Sequence, residues 1–394
     1  MSITVKEVLE RGVAEIVVAR DLEKKLHSKT KLRIKHGVDP TTPDLHLGYA
    51  VIYEKLRQFQ ELGHQIVFLI GGFTARFGDP TDKVQSRTLR QKETVEALAG
   101  NYLKQLGKIL DIGKVEVRDN SEWYDKMSLE DGLRLMSKFT VSRMIERDMF
   151  QQRIKEKKEI QYHEPVYPML QGYDSVMLRS DLTVIGQDQK FNELQARELQ
   201  KEAGQTPQDL MMMPLLLGTD GQRKMSQSLG NYIGLAESPA KQYGKIMSIP
   251  DQLIDSYFTL ITRLPMKEIL EIRETLAQGK VNPRDLKAKL AFTIVSQYHD
   301  KRSAVGAETE FNKIFRARQL PSDLPEVKIK KAPLDLTALV FQTKLVSSKS
   351  EARRLISQSA VKIDDRLLSD PQQKITPKSG MVIKIGKRRF CKIV

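Results

Sequence analysis

Three stretches of this chain carry residues whose types and spacing suit the handling of a nucleotide and an amino acid. The first, GVDPTTPDLHLGYA (37–50), follows a strand-like run and turns at its Asp-Pro and Thr-Pro steps. Asp44 is placed to cap a helix opening with His46, Leu47 and Gly48. A helix N-terminus, a close backbone approach at Gly48 and the His46 imidazole could then meet one phosphate. The second, GTDGQRKMSQSLGN (218–231), is a glycine- and serine-containing loop with the cations Arg223 and Lys224, able to close a lysine over a triphosphate. A loop histidine beside a packed helix and a solvated basic hairpin are the plainer readings, but the second string is longer than a turn needs. The third stretch (166–200) sets Tyr167 and Gln171 one helical turn apart, with Asp174 on the same helix and Asp188 and Gln189 beyond it. With Asp79 in FTARFGDPTDK it offers two carboxylates separated by an aromatic slot, an arrangement that could read both ends of an amphoteric amino acid.

These residues need a scaffold. From residue 31 to about 218, β-branched runs (KLRIKHGV, QIVFLIGGF, KVEVRD, DLTVIG, LMMMPLLLG) alternate with helical patterns. The alternation predicts an α/β, Rossmann-like parallel sheet covered by helices, with ligands at the strand ends. Residues 237 to about 316 hold no convincing strand and read as a helical domain. ARQLPSDLPEVKIKKAP reads as a linker, followed by two helices and short strands, a small α+β module. The expected division is an α/β domain over 1–232, a helical domain over 233–318, a linker over 319–333 and a small α+β domain over 334–394.

At 394 residues the chain is too long for one ordinary core, and no apolar run is long enough for a membrane span. The N-terminus lacks a secretion-type apolar segment, so the expected address is the cytoplasm. A single cysteine and six histidines without zinc-site spacing argue against a structural metal. Net charge is +15, and thirteen Lys/Arg against four acids follow Thr343, which points to a polyanionic partner for the C-terminal end.

Together these segments resemble the bacterial tyrosyl-tRNA synthetases, class I enzymes whose two nucleotide motifs are usually written HIGH and KMSKS. The resemblance runs from about residue 31 to the end, and the C-terminal SKSEARRLI and VKIDDRLL strings resemble the appended S4 RNA-binding domain. It implies tyrosine–tRNA ligase activity through a tyrosyl-adenylate, with L-tyrosine, ATP with Mg²⁺ and tRNA(Tyr) as substrates and a homodimer as the assembly. His46, Lys224, Lys83 and Arg87 would assist catalysis. Thr41, His46, Gly48, Tyr49, Gly186, Asp188, Lys224, Met225, Ser226, Gln227 and Ser228 would hold ATP. Lys35, Gly37, Asp39, Thr74, Asp79, Tyr167, Gln171, Asp174 and Gln189 would hold tyrosine, Asp174 at the phenol. Lys349, Arg353, Arg354, Lys387, Arg388 and Arg389 would grip RNA, with Ser348 or Ser350 capping their helix.

The chain departs from the family pattern at four places. Tyr49 replaces the last histidine of the first motif and Gln227 the second lysine of the other. Lys35 stands where many bacterial relatives place a second phenol-binding tyrosine, and Ile185 replaces the first glycine of the ribose loop. A non-catalytic RNA-binding paralogue is therefore the alternative reading.

Overall fold

The computed structural model describes residues 3–28, 30–79, 90–315, 324–329, 331–386 and 389–394. The chain divides into two compact units, Met1–Ala307 and Glu308–Val394.

The first unit is built on a six-stranded sheet in the order β1-β6-β5-β2-β3-β4. Its strands are β1 (Glu15–Val17), β2 (Arg33–Val38), β3 (Gln65–Ile70), β4 (Val115–Asp119), β5 (Leu182–Gly186) and β6 (Asp209–Met213). β2 to β6 pair in parallel, while β1 runs antiparallel along β6. β5 and β6 are buried at every position, the pattern of strands covered on both faces. The apolar run read as one strand over LMMMPLLLG ends at Met213, because Pro214 has no N–H to continue the ladder.

The helices that serve the site are α1 (Val5–Glu10), α2 (Leu47–Glu61), α3 (Leu129–Met136), α4 (Tyr167–Leu178) and α5 (Lys190–Glu202). From Pro239 to Tyr298 the chain is helical, including α6 (Ile254–Ile261) and α7 (Pro283–Tyr298). Buried polar side chains lock this part to α2. Glu54 accepts from Arg263 Nη2 (3.0 Å) and Gln297 Nε2 (2.9 Å). Arg11 donates to the carbonyls of Thr259 (3.0 Å) and Leu264 (2.8 Å) around the end of α6. Lys55, 2 % exposed, donates to the carbonyls of Val8 (2.7 Å) and Arg11 (2.9 Å), closing the end of α1.

The second unit has a five-stranded sheet in the order β10-β9-β12-β13-β7 and a short β11-β8 pair. The strands are β7 (Glu326–Val327), β8 (Leu334–Asp335), β9 (Val361–Ile363), β10 (Arg366–Leu368), β11 (Lys374–Ile375), β12 (Val382–Ile385) and β13 (Arg389–Ile393). β7, inside the stretch read as linker, pairs in parallel with β13. Two helices, α8 (Leu336–Gln342) and α9 (Lys349–Ser357), cover a core that includes Leu339, Ile356, Ile383 and Cys391. Asp364 and Asp365 turn the β9–β10 hairpin with φ of 48° and 63°, the positive pair a tight two-residue turn demands. Ser348 is the cap of α9, accepting from Glu351 N at 3.1 Å. Burial pushes the Cys391 thiol up to about 11.

Candidate active site

A cavity of about 280 Å³ opens at the carboxyl ends of β2, β3, β5 and β6. From β2 and the turn after it come Lys35, Gly37, Asp39 and Thr41; α2 contributes His46, Gly48 and Tyr49 at its start. Thr74 and Asp79 enter after β3, and Tyr167, Gln171 and Asp174 line one side of α4. Gly186, Asp188 and Gln189 follow β5, and Lys224, Met225 and Ser226 complete the wall. Every residue assigned to tyrosine is therefore in one cavity with most of those assigned to ATP. Gln227 and Ser228 adjoin it through their neighbour Ser226. Lys83 and Arg87 lie outside the described residues.

At one end Asp174, 4 % exposed, accepts from Trp123 Nε1 (3.1 Å) and Asn120 Nδ2 (3.4 Å). Burial raises its carboxyl to about 7, and the Lys35 ammonium partly offsets that rise. Asp39 accepts from Thr74 Oγ1 (2.8 Å) and Tyr167 Oη (2.9 Å), and Gln189 Nε2 donates to Asp79 Oδ2 (2.8 Å). A Cβ on Gly71 would stand 2.0 Å from Asp39 Oδ1, so this glycine is what lets the carboxylate sit against β3. Trp123, Asn120 and Gly71 are not among the residues the sequence singles out. The one available signal is that Trp123 is the chain's only tryptophan.

At the other end the helix cap differs from the expectation. His46, not Asp44, caps α2: its Nδ1 accepts from Gly48 N at 3.2 Å. That contact leaves Nε2–H as the donor. Burial, with Lys224 nearby, lowers the imidazole to about 4, so the neutral ring is the form present at pH 7. Lys224 Nζ lies 3.5 Å from Asp188 Oδ2. Gln227 Nε2 donates to Asp44 O at 2.6 Å, tying the second loop to the first. Tyr49 stacks near His46 and Tyr53, with ring centroids 4.6 and 6.2 Å away. Ile185 belongs to β5 and packs with Leu210 and Met212, which accounts for an aliphatic residue there. His36, also absent from the expected set, donates from Nδ1 to Val184 O (2.9 Å) and keeps a buried Nε2 with no protein hydrogen bond.

Lys35 is committed inward. Its Nζ reaches Ser175 Oγ at 2.6 Å and both oxygens of Glu193 at 3.0 Å.

In the second unit Arg389 Nη1 is held by Leu345 O (2.8 Å) and Glu351 Oε1 (2.9 Å), while Lys349, Arg353 and Arg354 are exposed along α9. Lys387 and Arg388 lie outside the described residues.

A parallel sheet whose carboxyl edge joins a capped helix N-terminus to a lysine-bearing loop is a nucleotide-binding arrangement, and the family match makes it that of a class I aminoacyl-tRNA synthetase. Residues 27–316 match the family described as "tRNA synthetases class I (W and Y)", and residues 317–393 match the "Tyrosine–tRNA ligase SYY-like C-terminal domain". The tyrosine–tRNA ligase of Moorella thermoacetica is 47% identical over 98% of this chain and 94% of its own length. That of Carboxydothermus hydrogenoformans is 48% identical over 98% and 97%. A C-terminally truncated mitochondrial tyrosyl-tRNA synthetase from Aspergillus nidulans shares the fold, with a TM-score of 0.65 at 24% identity over 79% of this chain and 94% of its own. The chain belongs to the tyrosine–tRNA ligase family, ligases that use ATP.

Proposed function

We propose that the cavity performs both steps of tyrosine attachment, with the residue roles expected from the sequence. The observation that carries this reading is the buried Asp174 carboxylate, held by Trp123 and Asn120 at the closed end of a slot that Tyr167 and Gln171 also line. A substrate phenol donates to Asp174, and its ammonium lies among Tyr167, Gln171 and Asp79. A site built to hydrogen-bond a hydroxyl rejects phenylalanine, a discrimination for which this enzyme family is the usual illustration. In the first step a tyrosine carboxylate oxygen attacks the α-phosphorus of ATP, and the bond to pyrophosphate breaks. Neutral His46 donates from Nε2 to the phosphate, and Lys224 offsets its charge. In the second step a terminal ribose hydroxyl of tRNA(Tyr) attacks the adenylate carbonyl and AMP leaves. No side chain becomes covalently bonded, so positioning and electrostatics supply the acceleration.

Mg²⁺ would be held by the ATP phosphates and would neutralise part of their charge. Among the described residues no three acid, histidine or cysteine side chains converge to hold a metal by themselves. Residues 1–232 are the catalytic part and 233–318 the helical part; of the expected connector 319–333, Glu326–Val327 instead joins the sheet of the RNA grip, whose contacts come from Lys349, Arg353, Arg354 and the Lys387–Arg389 segment of 334–394. No helix among the described residues is long and apolar enough to cross a membrane. A substrate set of ATP and tRNA(Tyr) supports a cytoplasmic location. Leu129 (80 % exposed) and Leu133 (56 %), four residues apart on one face of α3, are apolar side chains open to a partner, which supports a homodimer.

The test is pyrophosphate exchange into ATP with each amino acid. Exchange that depends on tyrosine, and its loss in Asp174→Ala with tRNA affinity retained, is expected. No exchange alongside intact tRNA binding would favour the non-catalytic paralogue.

A further inference from the structure

Glu193 has no part in the roles above, yet the polar contacts along the amino-acid end of the cavity lead back to it. It is 1 % exposed. Its oxygens accept from Lys35 Nζ (3.0 Å to each), Gln171 Nε2 (2.8 Å) and Gln208 Nε2 (2.8 Å). A carboxylate only accepts, so contact with it settles which end of a neighbouring amide is nitrogen. With Gln171 Nε2 turned to Glu193, Gln171 Oε1 accepts from Asn192 Nδ2 at 2.7 Å. The same Asn192 nitrogen donates to Gln189 Oε1 at 3.0 Å, and Gln189 Nε2 donates to Asp79 at 2.8 Å. Three amides thus run between two carboxylates, donating outward from Asn192 through Gln171 to Glu193 and through Gln189 to Asp79. Reversing one of them would set oxygen against oxygen or nitrogen against nitrogen. Asn192 even leaves its buried Oδ1 without a protein hydrogen bond, the consequence of spending both amide hydrogens on the two glutamines.

We propose that Glu193, anchored by Lys35, is a positioning residue for the amino-acid substrate: it fixes the amide oxygen of Gln171 as an acceptor for the ammonium group, as Asp79 fixes that of Gln189, with Asn192 donating to both. This rests on the tyrosine-pocket reading above and adds to it a reason for Lys35. The lysine that stands in a phenol-binding position of relatives serves the opposite end of the substrate by holding Glu193 in place.

The experiment compares two ligands that share the phenol ring. Tyramine carries the ammonium without the carboxylate, and 3-(4-hydroxyphenyl)propionate carries the carboxylate without the ammonium. Their binding to wild type and to Glu193→Gln is measured by calorimetry, with ATP affinity and thermal unfolding recorded alongside. Loss of a charge-assisted orientation should weaken tyramine by about tenfold or more while 3-(4-hydroxyphenyl)propionate changes little. In exchange assays KM for tyrosine should rise and KM for ATP should not. Should Glu193→Gln fail to fold, Asn192→Leu, which leaves the ion pair intact and removes the donor without adding charge, is read the same way. Equal weakening of both ligands, or none of tyramine, overturns this inference alone. A wild-type protein that binds neither tyramine nor tyrosine overturns the pocket reading and this inference with it.

Discussion

Asp174 serves the phenol best while it is ionised, because protonation turns one acceptor oxygen into a donor and removes the charge that strengthens a bond from a hydroxyl. Its carboxyl sits at about 7 through burial, so acidification below that point protonates it, whereas His46, held near 4, does not titrate in this window. The expected result is a fall in kcat/KM for tyrosine below about pH 7, approaching tenfold per unit, while the ATP parameter stays level. A level tyrosine profile between pH 6 and 9, or a parallel fall for ATP, removes the assignment. Stability should move the other way. The folded state keeps this proton to higher pH than the unfolded chain, so acidification from 7 toward 4 favours the fold while it weakens binding. The residues legible in the sequence, Tyr167, Gln171, Asp174, Asp188 and Gln189, lie close together in the chain with helix and loop spacing. Trp123, Asn120 and Glu193 are not legible there, since their roles depend on which remote elements the sheet order brings beside α4.

Among the elements, β2 to β6 announce themselves through apolar runs bounded by turns. β1, three residues long, is too short to show any alternation, and only its pairing with β6 defines it. The cap of α2 falls two residues beyond the expected Asp44 because an imidazole can accept at a helix start as a carboxylate does. The tie between α1 and α2 is invisible as well: Lys55 reads as an ordinary surface lysine, yet it is buried. Burial lowers its ammonium to about 7, with Arg11 contributing. Between that value and 10.5 the unfolded chain binds the proton and the folded one does not, so stability rises with pH across the interval. Denaturant midpoints should shift by up to about 1.4 kcal/mol per pH unit above 7 in wild type, and Lys55→Met should lose that component. An identical pH slope in the two proteins would place the lysine's titration elsewhere.

For the molecule as a whole, the charge imbalance of the last fifty residues is plain in the sequence, but its use is not. Arg389 of β13 secures Glu351, the acid of α9, while Lys349, Arg353 and Arg354 are the exposed cations of that helix. Replacing those three by alanine should weaken tRNA(Tyr) binding and reduce the slope of log affinity against log salt by about one for each phosphate no longer neutralised, with adenylate formation unchanged. An unaltered salt slope would move the grip to another surface. The proposed homodimer is checked by sedimentation: Leu129→Asp with Leu133→Asp should give monomers, and a dimer that survives both changes must use a different face. The second unit also holds the chain's only thiol, Cys391, 0 % exposed and raised to about 11 by burial. At neutral pH its thiolate fraction is on the order of one in ten thousand, so reagents aimed at sulfur meet almost no background. A cysteine introduced at Leu129 or on α9 would be the single labelled position, and subunit exchange or tRNA docking could be followed by fluorescence without first stripping the native protein of anything.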